Sequence, residues 1–178
     1  ITKVTESTLA LAQASGSDLA RSAEVAGSTL RAFQMDASET GKVTDVMAKS
    51  FSTSALDMET FAESMKYVAP VAQAAGISLE ETSAMLALLA NAGIKGSQAG
   101  TSLRRIISDL GSTGGDVAGA IEKLANQGLD MGGAMDEVGR SAQSALLVLA
   151  QGSKDIPSLT KNFEDADGAA KAMADTMT

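Results

Sequence analysis

Three short segments of the 178-residue chain carry residue types that could do chemistry. Glu80 and Glu81 are adjacent carboxylates, which could serve as a general acid and a general base. Residues 93–102 are rich in Gly, Ser and Thr, a composition that phosphate-binding loops share. Arg104 and Arg105 are adjacent guanidinium groups, which could bind a phosphate or a carboxylate. Each segment has to be weighed against a purely structural role in the elements around it.

A helix–helix corner explains residues 93–102 better than a phosphate loop does. A P-loop needs Gly, four residues and then Gly-Lys-Ser/Thr after a strand, so that backbone amides and the Lys hold the phosphates. Here Gly100-Thr101-Ser102 lacks the Lys, and no strand pattern precedes it. Gly100 then falls inside the following helix, where the missing side chain lets another helix approach closely.

The charged pairs also have structural interpretations. Glu80 and Glu81 follow Ser78 at the start of a predicted helix, where the helix dipole favours carboxylates. Ser78 and Glu81 fit a capping box, in which the hydroxyl accepts from a first-turn amide and Glu81 reaches back. Arg104 and Arg105 are typical of a solvated or salt-bridged helix face. None of the three segments therefore predicts a catalytic site.

The composition argues against an enzyme and against a protein that wraps nucleic acid. The chain has neither His nor Cys, so the commonest general base and metal ligand and all thiolate chemistry are absent. The Ser residues lack an obvious activating base. The net charge of −8 disfavours phosphate binding, and no apolar run approaches the ~20 residues of a membrane span. We predict no catalytic, cofactor-binding or metal-binding residues and no specific nucleic-acid binding.

Hydrophobic residues recur at helical spacing along nearly the whole chain, which predicts an all-α fold without a sheet. One example is the stripe that begins with Leu19, Ala23 and Ala26. Asp57 and Asp116 are predicted N-caps, and Pro70 should kink its helix or split it near Ala69. About ten short amphipathic helices with Gly-rich corners are expected, near residues 3–14, 17–36, 41–54, 57–75, 78–92, 97–111, 116–127, 133–151, 155–163 and 167–177.

Glycines predict how the chain is divided. Gly76, Gly93 and Gly128 lie where helix C-termini favour a residue at positive φ. The stretch 111–115 predicts a linker between a helical core segment, 1–110, and a helical continuation, 111–178; 128–133 predicts a second linker. Since the chain begins with Ile rather than Met, we expect a fragment of a much longer polypeptide.

The central part of the sequence resembles the core region of phage tail tape measure proteins. The most specific block is YVAPVAQAAGISLEET at 67–82, followed closely by MLALLANAGIKGSQAGTSLR at 85–104. VTDVMA at 43–48 resembles the stretch before that block, and VGRSA at 138–142 and DADGAA at 165–170 resemble later signatures. The signature residues that we assign as structural are Pro70, Gly76, Gly93, Gly96, Gly100, Thr101, Leu103 and Arg104.

This resemblance implies a structural virion protein in the lumen of a phage or phage-like tail, made in the cytoplasm of the producing bacterium. Such a protein helps to set tail length, scaffolds tail-tube assembly and takes part in DNA ejection. The implied partners are tail-tube and baseplate or tail-tip proteins, further copies of the chain and, during ejection, a host membrane. The alternative is a membrane-active helical module, although such helices usually carry Lys and Arg opposite their apolar stripe, whereas acidic residues dominate here.

Overall fold

The computed structural model describes residues 2–111, 116–126 and 140–177, and all regular secondary structure in these ranges is helical. The all-α prediction is confirmed. A short 3-10 turn, Ala37–Glu39, precedes the third α-helix. The α-helices are α1 Thr2–Ser15, α2 Leu19–Ala32, α3 Thr40–Thr53, α4 Met58–Ala74, α5 Leu79–Asn91, α6 Gly96–Leu110, α7 Val117–Asn126, α8 Arg140–Gln151, α9 Asp155–Glu164 and α10 Ala169–Met177.

Helix α5 is the centre of the fold. It packs against α3, α4, α6, α8 and α9, and most of its residues from Leu79 to Ala90 are buried. Its sequence has apolar or small side chains nearly all round, as expected for a helix surrounded by others. Helices from both sides of residue 111 contribute to one hydrophobic core, which includes Leu103, Leu149 and Phe163. The division into 1–110 and 111–178 stays a prediction.

Most of the predicted caps are present. The Asp57 carboxylate accepts from the Thr60 amide at 2.8 Å, and Asp116 accepts from the Gly119 amide at 2.8 Å. Ser78 accepts from the Glu81 amide at 3.1 Å, so the structure shows the Ser78 half of the predicted capping box. Capping boxes with both reciprocal hydrogen bonds form instead between Asp57 and Thr60 and, in the 3-10 turn, between Asp36 and Glu39.

Of the two predicted effects of Pro70, the split of the helix near Ala69 is wrong, whereas the kink stays a prediction. Helix α4 continues from Met58 to Ala74 with Pro70 inside it. Pro70 is exposed, whereas Val68, Ala69 and Ala72 beside it are fully buried. Pro removes one amide hydrogen bond from the helix, but the buried face of α4 stays packed on both sides of it. Burial of that apolar face offsets the lost hydrogen bond.

The buried face of α2 also differs from the predicted stripe. Leu19 is 43% exposed, and the buried side consists of Ser22, Val25, Ala26, Thr29 and Leu30. The Ser22 hydroxyl donates to the Asp18 carbonyl at 3.0 Å, and the Thr29 hydroxyl donates to the Val25 carbonyl at 2.9 Å. Because each hydroxyl is satisfied within its own helix, these polar side chains are buried at little cost.

Some sequence predictions lie outside the described residues. These are Gly128, the 128–133 linker, the part of the 133–151 helix before Arg140 and residues 112–115 of the first linker. Gly76 and Gly93 follow α4 and α5 with φ of +76° and +86°, in the left-handed conformation that was predicted for helix ends.

Candidate functional site

The turn between α5 and α6, together with α4, forms what we call the corner: residues 91–104 and the facing Ser64. The Ile94 amide donates to the Leu89 carbonyl at 2.8 Å, which closes the end of α5 around Gly93. Ile94 is buried and anchors the turn in the core. Gly96, at φ +59°, is the first residue of α6. The backbone therefore reverses within a few residues and places α6 alongside α4.

Gly100 is the point where α6 meets α4 most closely. A Cβ atom on Gly100 would lie 2.9 Å from the Ser64 Cα atom and closer still to the Ser64 carbonyl oxygen. Both neighbours are backbone atoms, which no rotamer change can move. The Ser64 hydroxyl lies 2.7 Å from the Thr60 carbonyl and 2.9 Å from the Gly96 carbonyl, so it links α4 to the start of α6. The corner is held by backbone-to-backbone proximity that only glycine permits.

The signature residues fall into separate groups. Gly100 and Leu103 are buried in the corner, while Thr101 and Arg104 lie on the exposed side of α6. Gly76 belongs to the turn between α4 and α5. Pro70 is exposed on α4. The structure therefore places Gly93, Gly96, Gly100 and Leu103 in the turn and the buried side of the corner, whereas Thr101 and Arg104 lie on its exposed side and Gly76 and Pro70 lie outside it.

A second cluster, which we call the α3 polar ties, consists of Lys42, Asp45, Glu80 and the amides that open α10. The Asp45 carboxylate accepts from the Gly168 and Ala170 amides, both at 2.9 Å. It thus caps a helix that lies more than 120 residues later in the chain. Asp45 comes from the segment 43–48 and Gly168 from 165–170, so the structure joins two segments that were predicted separately.

Lys42 lies one turn before Asp45 on α3 and holds the first turn of α5. Its ammonium is 2.7 Å from Glu80, whose side chain is only 3% exposed. The hydrogen bond to Glu80 raises the pKa of Lys42, although partial burial opposes the change. The ion pair gives a buried carboxylate a cationic partner, and α3 is therefore tied to both α5 and α10 through polar side chains.

The adjacent carboxylates Glu80 and Glu81 are used differently by the fold. Glu80 is committed to Lys42, whereas Glu81 is half-buried. Burial raises the pKa of Glu81, and the nearby charge of Asp116 adds to that change. Across the ranges that the structure describes, no three His, Cys, Asp or Glu side chains are grouped as metal ligands would be. None of the helices in those ranges combines the length and the apolar character that a membrane crossing needs.

Sequence reasoning missed Lys42, Asp45 and Ser64. Asp45 lay inside a recognised segment, but nothing local indicated that its partner would be α10. Ser64 occupies a position on the buried face of α4 where a small residue is needed. It was missed because that face was assigned from its larger apolar residues. A search for small residues at helical spacing could have found Ser64, whereas the partner of Asp45 required the tertiary structure.

Comparison with known proteins gives the chain a family. The family model described as phage-related minor tail protein matches residues 1–178. A tape measure protein of Pneumococcus phage Dp-1 is 36% identical over 95% of this chain and 17% of its own length. A probable tape measure protein of Escherichia phage P2 is 37% identical over 52% of this chain and 11% of its own length. No solved structure matches the chain.

The chain thus spans less than a fifth of the length of these curated relatives. The similarity to the Dp-1 protein covers nearly all of the chain. From the match along its whole length and the similarity to tape measure proteins, this all-α chain belongs to the phage-related minor tail protein family.

Proposed function

We propose that this chain is a folded segment of a tape measure protein, needed for tail assembly or for DNA ejection rather than for any turnover chemistry. Its proposed place is the lumen of the tail, after synthesis in the bacterial cytoplasm. Its proposed partners are tail-tube and baseplate or tail-tip proteins and further copies of itself. The supporting comparison is the similarity to a tape measure protein over 95% of the chain.

The packing of α4, α5 and α6 distinguishes two ways in which the segment could act. It could be a folded module, or it could be a ruler, an extended helix whose number of residues sets tail length. An α-helix rises ~1.5 Å per residue, so a single helix of this chain's length would extend about 270 Å. Here the longest described helix has 17 residues, and the chain reverses at Gly76 and Gly93. In such a fold, the number of residues does not determine the length of the segment along the tail axis. The segment contributes to the tail through its shape.

The membrane-active alternative requires apolar helix faces that become available to lipid. In the described helices those faces form the common core, and the polar faces are mainly acidic. Insertion would need the core to open. Flotation of the 178-residue chain with liposomes that contain anionic lipid distinguishes the two functions, since a folded tail module should stay in the unbound fraction.

A substitution that changes the fold but not the chain length tests the proposal. In the intact phage, Gly100→Leu keeps every residue but forces side-chain atoms into the Ser64 backbone. We expect no tails, or tails of normal length that fail to deliver DNA. Thr101→Leu, at the adjacent exposed position, is the matched control and should leave the phage infectious. Electron microscopy of tails and plaque counts provide the measurements.

An in-frame deletion of residues 78–111 complements that test. A ruler would give infectious tails that are shorter by the lost residues, at ~1.5 Å each for an axial helix. A folded module should lose assembly or ejection, because α5 is the centre of the core. Proportionally shortened and infectious tails, or normal infection by the Gly100→Leu phage, would contradict the proposal.

A further inference from the structure

A groove runs between α1, α3 and α10, away from the corner. Its volume is about 740 Å³, which is room for several side chains of a partner. Leu9, which is 44% exposed, and the partly exposed Ala10 supply its accessible apolar surface, whereas Phe163 and Ala170 line the groove but are almost fully buried. A partner that covered Leu9 would remove this apolar surface from water, which favours binding.

The edges of the groove are acidic. Glu6, Glu164 and Asp167 are exposed carboxylates, and among the described residues none of the three forms an ion pair. Lys42 also lines the groove, but its ammonium is bound by Glu80. Lys171 adds one positive charge. The groove therefore combines accessible apolar surface at Leu9 and Ala10 with a surplus of negative charge along its edges.

We propose that this groove binds an amphipathic helix of a partner protein that carries Lys or Arg beside its apolar stripe. The apolar side chains of the partner would lie against Leu9 and Ala10, and its cations would face Glu6, Glu164 and Asp167. A helix is favoured because the walls of the groove are themselves helices, against which another helix packs by ridges and grooves. The net charge of −8 disfavours a second copy of this chain as the occupant.

The first test measures binding of designed peptides to the 178-residue chain by fluorescence anisotropy. The probe is an 18-residue helical peptide of Leu and Lys in amphipathic order. One control is the same peptide with Glu in place of Lys, and a second has the Leu and Lys residues reordered so that no apolar stripe forms. We expect saturable binding of the Leu/Lys amphipathic peptide that weakens with salt, and at least tenfold weaker binding of both controls.

The second test assigns the binding to the groove. Leu9→Ala is compared with Leu19→Ala, an equally exposed Leu on α2 that does not line the groove. Leu9→Ala should weaken the peptide about fivefold to tenfold, and Leu19→Ala should leave it unchanged. The double variant Glu6→Gln/Glu164→Gln should weaken it about threefold to tenfold, whereas the equally charged control Glu63→Gln/Glu122→Gln should not. Circular dichroism confirms that each variant stays folded.

Three results would overturn the proposal. The first is equal binding of the Leu/Lys and Leu/Glu peptides, or no binding of either. The second is an equal weakening of peptide binding by the groove variants and by their controls. The peptide would then be attracted by the overall negative charge of the protein and not by the groove. The third is dimerisation in sedimentation velocity that Leu9→Ala abolishes, since a second copy would then be the occupant. Each result is independent of the tail phenotype, so this inference and the proposed function fail separately.

Discussion

The corner and the α3 polar ties hold the same fold by opposite means. In the corner, Gly100 removes a side chain so that the backbones of α6 and α4 come within contact distance. In the α3 polar ties, the charged side chains of Lys42 and Asp45 reach out to the first turns of α5 and α10. No other amino acid can replace Gly100 without a steric overlap, whereas a polar contact on α3 can be weakened to different degrees by different substitutions. The two regions should therefore differ in how sharply they respond to substitution.

The largest effect is expected at Gly100. We expect Gly100→Ala to lower the free energy of unfolding by about 2–3 kcal/mol, because its Cβ would overlap backbone atoms of Ser64 that can move only with the helix. Gly27→Ala is the matched control, since the only atom near its added Cβ is the end of the Arg31 side chain at 3.6 Å. It should stabilise the chain by about 0.5–1 kcal/mol through helix propensity. Urea unfolding measures both; equal effects would show that the close approach does not matter.

The ion pair on α3 should give the next largest effect. Lys42→Met leaves the buried Glu80 carboxylate without its cation and should lower the free energy of unfolding by about 2 kcal/mol. This is below the value for a fully buried pair, because Lys42 is half-exposed. The double variant Lys42→Met/Glu80→Met should recover most of the loss, because no unpaired charge remains. A double variant as unstable as the single one would show that packing, and not charge, holds this contact.

The same pair predicts a pH dependence. The hydrogen bond to Glu80 raises the pKa of Lys42 above its ordinary value of 10.5. Its contribution to stability is then complete below about pH 10.5 and is lost as the pH rises through the folded-state pKa. The difference in melting temperature between wild type and Lys42→Met should stay constant from pH 7 to 10 and shrink above that range. A difference that shrinks already between pH 7 and 9 would contradict the assignment.

Asp45 should have a smaller and more local effect. Asp45→Ala removes the acceptor for two amides at the start of α10 and should cost about 1 kcal/mol, the usual value for a helix cap. Hydrogen exchange should accelerate at Gly168 and Ala170. Asp116→Ala removes the cap of α7 instead, and should cost a similar amount while accelerating exchange at Gly119. If Asp45→Ala changed exchange equally throughout the chain, α10 would not be tied locally.

Contacts between residues close in sequence could be predicted, whereas the long-range contact of Asp45 could not. Helix ends and caps depend on residues within a few positions of one another. The sequence therefore predicted the helix ends at Gly76 and Gly93 and the caps at Asp57 and Asp116. The partner of Asp45 is more than 120 residues away, and no local pattern encodes that distance.

Two predictions were wrong because each was made from a single property of the sequence. The split at Pro70 was inferred from propensity alone, and tertiary packing on the buried side of α4 overrode it. The stripe at Leu19 was assigned by hydrophobicity alone. The hydroxyls of Ser22 and Thr29 bond to carbonyls of their own helix, which makes them as suitable for burial as apolar residues.

The smallest expected effect concerns Glu81, which lies beside Glu80 but, among the residues that the structure describes, forms no ion pair like that of Glu80 with Lys42. Burial, and then the charge of Asp116, raise the pKa of Glu81, so the folded state favours the protonated carboxyl. The charged form therefore destabilises the chain once the pH exceeds the ordinary pKa of 4.5. Glu81→Gln should raise the melting temperature at pH 7, and the gain should disappear below about pH 4.5. In the background of Asp116→Asn, which keeps a capping side chain, the gain should be smaller because one of its two causes is gone. A gain that persists at pH 3, or a loss at pH 7, would show that the carboxylate stabilises the start of α5 as an ordinary first-turn Glu does. Adjacent carboxylates in one helix turn would then differ only in their partners and not in the sign of their contribution.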